Sequence, residues 1–431
     1  STAGSHGDVL PFIALGREFL ARGHEVVLYA NPYFQKHVLD AGLAFTPIST
    51  IDEYESLFGE LAERDPRKAF ERVAKHFAAI WGDCHAAMKA DVEPGQTIAI
   101  GSSLMFAHRL LKETDGIPCA TVHLAPSVFR SHERPARVAP TWIHARSPNL
   151  VKHLAWWTLD KVFYDPYFTK PLNKLRTQLG LSPVDHVFRS WLHEADCVVG
   201  LFPDWFAERP SDWPSKALLT DFPLYDHGAL DPLPASLQAF IDAGPRPVAF
   251  SAGTATSKAN DFFAQSVEAC QIAGLRGILL SHFANQVPAN LPDNIVHVPY
   301  APFSALLPKL AAFVHHGGIG STSQAMRAGV PQLIRPVAYD QFDNAARAVR
   351  LGVARELLPK DYQPAKVAAA LRSMIDDMST RAACAEVAEK LTSGGAVART
   401  CELMLQRLVP EQTSAKRAPL NLVIRPLKNQ H

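Results

Sequence analysis

The stretch VHHGGIGSTSQAMRAGVPQL, Val314 to Leu333, constrains the fold more than any other. An apolar run ends on His315 and His316, and Gly317, Gly318 and Gly320 follow at once. Ser321, Thr322 and Ser323 come next, in a segment that reads as a helix ending at Gly329. Strand, glycine turn and helix in so few residues is the opening of a parallel α/β unit. The glycines let backbone N–H groups approach an anion, and the helix N-terminus adds a partial positive charge. Ser321, Thr322 and His316 are potential donors to phosphate oxygens, and a phosphate would favour the charged form of His316. A tight turn would use glycine too. Neither GxxxxGK[ST] nor GxGxxG is present, which argues against a Walker loop and an NAD-binding fingerprint.

The same beat recurs. Residues 9–22 carry a helical stripe of Phe12, Leu15 and Phe19, stopped at Gly23, and EVVLYA at 25–30 reads as a buried strand. TIAIGSS (97–103), HRLLKETDGIPCATVHLAP (108–126) and DCVVGLF (196–202) repeat it. A second set starts at RPVAFSAGTATS (246–257) and continues through GILLSHF, NIVHVPY, LAAFVHHGG and VPQLIRP to a helix at 340–351. With 431 residues, two α/β domains are expected. Prolines gather between 203 and 245, which suggests a linker. The expected division is an N-terminal domain over 1–222, a linker over 223–245, a C-terminal domain over 246–408 and a tail over 409–431. The chain opens on a loop, STAGSHGDVLPF, that a strand should precede. LNLVIRPL (420–427) reads as a strand that would fill that vacancy.

Charge narrows the partners. With 43 basic and 42 acidic residues the net charge is +1, which argues against nucleic acid as a partner. Six scattered cysteines without CxxC read as reduced, buried thiols of a cytoplasmic protein. No apolar run reaches the roughly 18 residues of a membrane span.

Polar residues at strand ends complete the pattern. Asp340 and Gln341 follow PQLIRP, at the sheet edge that faces the ligand cleft in doubly wound folds. A carboxylate beside an amide suits the vicinal hydroxyls of a sugar. Tyr300 closes NIVHVPY, where an aromatic ring can stack on a base. Base, diphosphate and sugar would be met in turn, which favours a nucleotide-sugar site.

The segment from Tyr300 to Gly352, together with GSHGDVLPFIALGREFLARGHEV near the start, resembles the donor and acceptor motifs of family 1 glycosyltransferases with the GT-B fold. Within that family, SDWPSKALLTDFPLYD (211–226) and DQFDNAARAVRLG most resemble the rhamnosyltransferases of rhamnolipid synthesis, followed by sterol glucosyltransferases. The resemblance implies two Rossmann-like domains with parallel sheets facing across a cleft. It places His316 at the diphosphate, and Gly317, Gly318, Gly320 and Ser321 on the phosphate loop. Asp340 and Gln341 fall on the sugar hydroxyls, Tyr300 on the base, and Thr254 on a second loop at the phosphates. Gln324 stands where many UDP-sugar users carry a glutamate for the ribose, which leaves room for dTDP as well as UDP.

Transfer needs an acceptor hydroxyl to attack an anomeric carbon as the nucleotide diphosphate leaves. The glycine loop, its helix dipole and His316 can stabilise that leaving charge. No DxD motif is found, so neither a metal nor another cofactor is expected. SHGDVLP offers His6 and Asp8; the resemblance implies a base three residues before the proline, which is Asp8, with His6 as second choice, as its partner or a phosphate contact, and Asp8 also suits a helix cap. Attack opposite the leaving group implies inversion. Met105, Phe106, His123, Phe129, Trp156, Trp157 and Phe163 are the expected lining of a lipophilic acceptor pocket, for a hydroxyacyl lipid, a sterol or a polyketide. Peripheral contact with the inner membrane face is left open, as are a GT-B epimerase and a non-catalytic nucleotide-sugar binder.

Overall fold

The computed structural model describes residues 1–60, 66–225, 232–254, 259–391 and 394–409. Its first half opens with helix α1 (His6–Ala21), whose Val9, Phe12, Ile13 and Phe19 are buried. Strands β1 (Val27–Ala30) and β2 (Ala44–Pro47) pair in parallel, and β3 (Ala99–Ser102), β4 (Cys119–His123), β5 (Cys197–Gly200) and β6 (Ala217–Leu219) form a parallel sheet in that order. Ser1 and Thr2 join the two sheets. The Thr2 N–H donates to the Tyr29 carbonyl (3.0 Å), and the Ser102 N–H donates to the Ser1 carbonyl (3.0 Å). The first residues therefore occupy the place where a strand was expected. The proposed strand at 420–427 lies outside the described residues. Between β4 and β5, α2 (Asn149–Leu159) runs into a π-helical continuation (Asp160–Thr169), whose Phe168 packs near Phe70, Trp81 and Phe106.

The second half is a six-stranded parallel sheet. Helix α3 (Ala235–Asp242) leads into β7 (Val248–Ser251), β8 (Gly277–Leu280), β9 (Ile295–Val298) and β10 (Ala312–His315). Helix α4 (Ile319–Arg327), β11 (Gln332–Ile334), α5 (Gln341–Arg350), β12 (Ala354–Glu356) and finally α6 (Ala396–Leu408) follow. The strand order β12-β11-β10-β7-β8-β9 reverses between β7 and β10, so both carry their C-terminal ends to one crevice.

Two expected boundaries need correction. Residues 223–245 are not merely a linker, because Leu237 and Ile241 of α3 pack with Ala249, Ile278 and Val298 of the second sheet. Helix α6, assigned to the C-terminal domain, crosses back. Its Cys401, Met404 and Leu408 are buried with Phe12 of α1 and Val199 of β5. An amphipathic helix follows the apolar face that needs covering, wherever that face lies in the chain.

The halves are packed together. Phe206 and Phe222 share a core cluster with Met326, Ala348 and Val353. Arg137 grips Glu356 through two bonds of 2.6 and 2.9 Å, and its N–H donates to Asp343 Oδ1 (3.0 Å).

Candidate active site

The two histidines after β10 part company. His315 is fully buried; its Nδ1 accepts from the Gly317 N–H (3.0 Å), so its Nε2 donates to Gln332 Oε1 (2.9 Å). Burial holds it neutral, with its pKa down at about 3. His316 is the one that faces outward, and glycines clear its place. A Cβ on Gly253 would lie 2.7 Å from its ring, and one on Gly318 would lie 2.6 Å from its Nε2. Its Nδ1 has no partner among the described residues. Burial pulls its pKa down to about 4, so the ring is neutral here. The expectation of a charged His316 therefore requires an anion to raise that value.

Gly317 takes φ +91°, and a Cβ there would meet Ile334 at 2.8 Å. This conformation turns the chain into α4, whose first N–H groups, at Ile319 to Ser321, have no partner within the helix. Gly320 is exposed and Ser321 partly so. Thr322 instead turns inward and donates to the Gly318 carbonyl (3.0 Å).

Asp340 stands at the start of α5, after Tyr339, which holds a left-handed φ of 57°. Asn344, one turn on, donates through Nδ2 to Asp340 Oδ2 (2.7 Å) and to the Gly317 carbonyl (3.0 Å). One buried amide thus ties the glycine loop to the carboxylate. Sequence reasoning passed over Asn344; its signal was the i, i+4 spacing from Asp340. Gln341 Oε1 accepts from the N–H groups of Val337 (2.8 Å) and Ala338 (3.1 Å), which fixes the preceding turn. Tyr300, 45% exposed, lies nearly parallel to His282 at 6.1 Å. Thr254 follows Gly253 and is exposed. Gln324 is buried and donates to the Tyr225 carbonyl (3.3 Å), in the segment that joins the halves.

Asp8 reaches the same crevice from α1. Its Oδ2 accepts from the Ser5 N–H (2.8 Å) and Ser5 Oγ (3.1 Å), a reciprocal capping box. Gly4 (φ +130°) makes room, since a Cβ there would collide with that carboxylate. Burial raises the Asp8 pKa, while the Ser5 bonds oppose the rise. Burial also lifts Asp340 to about 7, and the nearby charge of Asp8 adds to it. The phenols of Tyr339 and Tyr54 are raised first by burial, and the same charge adds to both. The charge of Asp8 in one half is thus felt at Asp340 in the other. His6 packs edge-on against Tyr33 (5.5 Å), Phe34 (5.1 Å) and His37 (5.6 Å).

Residues 1–132 match the glycosyltransferase family 28 N-terminal domain, and residues 277–403 match the erythromycin biosynthesis protein CIII-like C-terminal domain. The O-mycaminosyltylonolide 6-deoxyallosyltransferase of Streptomyces fradiae is 28% identical, over 94% of this chain and 95% of its own. The glycosyltransferase GtfC of Amycolatopsis orientalis is 29% identical, over 96% and 98%. Among solved structures, the glycotransferase of kitacinnamycin superposes with a TM-score of 0.72 at 20% identity, covering 94% of this chain and 97% of that one. The chain is a glycosyltransferase of the GT-B fold.

In this transferase the residues expected to line an acceptor pocket separate. Met105 and Phe106 are sealed in the core, where Phe106 stacks on Trp81 at 4.4 Å, so neither faces a pocket. Phe106 directly precedes the helix Ala107–Asp115. Phe163 packs edge-on against Phe70 (5.9 Å). His123 and Phe129 are also buried; His123 Nδ1 pairs with Ser103 Oγ at 2.8 Å. Trp156 and Trp157 do line a cavity of about 530 Å³ in the transferase's N-terminal half, together with Arg130, Arg189, His193 and Trp213. Among the described residues no helix is long and apolar enough to cross a membrane.

Proposed function

We propose that this glycosyltransferase is inverting and metal-independent. It moves a hexose, rhamnose or glucose, from a dTDP- or UDP-sugar to a hydroxyl of a lipophilic acceptor such as a hydroxyacyl lipid, in the cytoplasm. The observation that carries the reading is the His316–Ser321 turn, where glycines clear space beside the unpartnered Nδ1 of His316 and Asn344 ties Gly317 to Asp340. The diphosphate lies on the free N–H groups of α4, within reach of His316. Asp340 and Gln341 hold the sugar hydroxyls, and Tyr300 supports the base. The acceptor hydroxyl gives its proton to Asp8 as its oxygen bonds to the anomeric carbon. The bond from that carbon to the diphosphate oxygen breaks on the opposite face, and the diphosphate leaves with both electrons. Burial gives Asp8 a raised proton affinity, which suits a base. The Gln324 amide, already held by Tyr225, lacks the charge of a ribose-binding glutamate, which favours dTDP.

Asp8→Ala is expected to lose about 10²–10⁴ in turnover, with the thermal shift on adding dTDP or UDP unchanged. Retained turnover would remove Asp8 from the chemistry and favour a non-catalytic binder. Epimerised donor in the absence of any acceptor would favour an epimerase.

A further inference from the structure

None of the groups placed at the diphosphate carries a formal positive charge. Burial keeps His316 neutral, and the turn itself offers only N–H groups and hydroxyls. A leaving nucleotide diphosphate is an anion whose charge grows as the bond breaks, and it is stabilised by donors already aimed at it.

The sheet register puts a cation beside His316. His315 and Ile334 are the last matched pair of β10 and β11, and the Arg335 N–H donates to the His315 carbonyl (2.9 Å). His316 and Arg335 are therefore the next residues on neighbouring strands. Val314 and Leu333, two residues earlier on each strand, both lie in the core cluster of Phe262 and Tyr362, so His316 and Arg335 leave the sheet on that same face. Helix α4 packs on the other face, where its Ala325 is buried with Phe313.

The Arg335 guanidinium stands 5.8 Å from the Phe262 ring and 5.3 Å from the Tyr362 ring. Those rings cover its face but offer its N–H groups no lone pair. Its Nε is buried without a partner among the described residues. The charge of Asp261 reaches it, but not as a bonded partner. Buried polar groups are almost always paired. A planar fork of donors with no carboxylate bonded to it, beside the histidine of an anion-binding turn, suits phosphate oxygens.

We infer that Arg335 is a further donor-binding residue. Its guanidinium takes oxygens of the diphosphate from the sheet face opposite α4, so that the leaving group is held between a helix N-terminus and a cation. This rests on the reading of a sugar nucleotide at the His316–Ser321 turn, and the test separates the two.

Binding of dTDP and of UDP to the full chain is measured by calorimetry over a series of salt concentrations. Arg335→Met keeps the length and apolar stem of the side chain and is expected to lose about tenfold or more in affinity. Its remaining affinity should fall less steeply with salt, because one screened attraction has gone. Arg335→Lys restores the charge without the fork and should recover part of both. A side chain that only packs against Phe262 and Tyr362 would leave the salt dependence as in the wild type. In the wild type, where no variant has to fold, phenylglyoxal should modify Arg335, and whichever nucleotide binds should slow that modification, read by mass spectrometry of its peptide. Undiminished affinity in Arg335→Met, an unchanged salt dependence, or modification that is absent or indifferent to nucleotide overturns the inference and leaves the transferase standing. A wild type that binds neither dTDP nor UDP sinks the reading of the turn, and this inference with it.

Discussion

At the scale of single residues, the site depends on proton affinities set by burial. Asp340 keeps its proton to about pH 7 when folded but only to about 3.8 when unfolded. Between those values the folded chain binds the extra proton, so its contribution to stability is full below about pH 4 and is lost as pH rises through 7. Asp340→Asn removes that loss. Its melting temperature relative to the wild type should climb from pH 4 to 7 and level off above, in a calorimetric pH series. His316 acts with the opposite sign. Its folded value of about 4 lies below the usual 6.5, so its contribution is present above 6.5 and fades as acid approaches 4. Asn344 joins Gly317 to Asp340 by two bonds from one buried amide. Asn344→Ala is expected to cost about 1–3 kcal/mol of stability and to weaken donor binding, read as a raised KM for the sugar nucleotide.

At the scale of elements, the legible parts were those with a strong local pattern. The α1 stripe and the β10–α4 turn carry their periods and glycines in contiguous residues, and both form where expected. Strands β2, β6 and β12 were passed over, because each is short and has at most one buried residue, so it carries little apolar pattern. Pairing, not local preference, makes them strands. Helix α6 shows the same limit: its amphipathic face is visible in sequence, but its target is not. Met404, fully buried against the N-terminal core, tests the assignment. Met404→Ala should cost about 2–5 kcal/mol and lower the denaturation midpoint, whereas a helix belonging only to the second half would leave α1 undisturbed in hydrogen exchange.

At the scale of the molecule, the halves are held by more than a connecting segment. Arg137 bridges to Glu356 and Asp343, and Arg347 and Arg350 donate to the Phe206 carbonyl at 3.3 and 3.0 Å. These contacts hold the two halves together. Arg137→Ala and Glu356→Ala should each raise donor KM and lower turnover, and the double variant should be no worse than the single ones. Additive losses would show that the pair does not act as one clamp.

The sequence alone determined the parallel α/β beat, the glycine turn before α4 and the polar residues at strand ends, because each is written in a few adjacent residues obeying local rules of backbone and periodicity. It also yielded His316 and Asp340 as candidates, since each follows closely on a strand, while Asp8 was singled out by the family resemblance. Only the tertiary structure decided which histidine faces outward, since His315 and His316 differ only in which side of β10 they leave. It alone buried Met105 and Phe106 while leaving Trp157 at a cavity, and it alone brought α6 back to the first half. Those outcomes depend on what packs against each side chain from hundreds of residues away, and no local pattern carries that information.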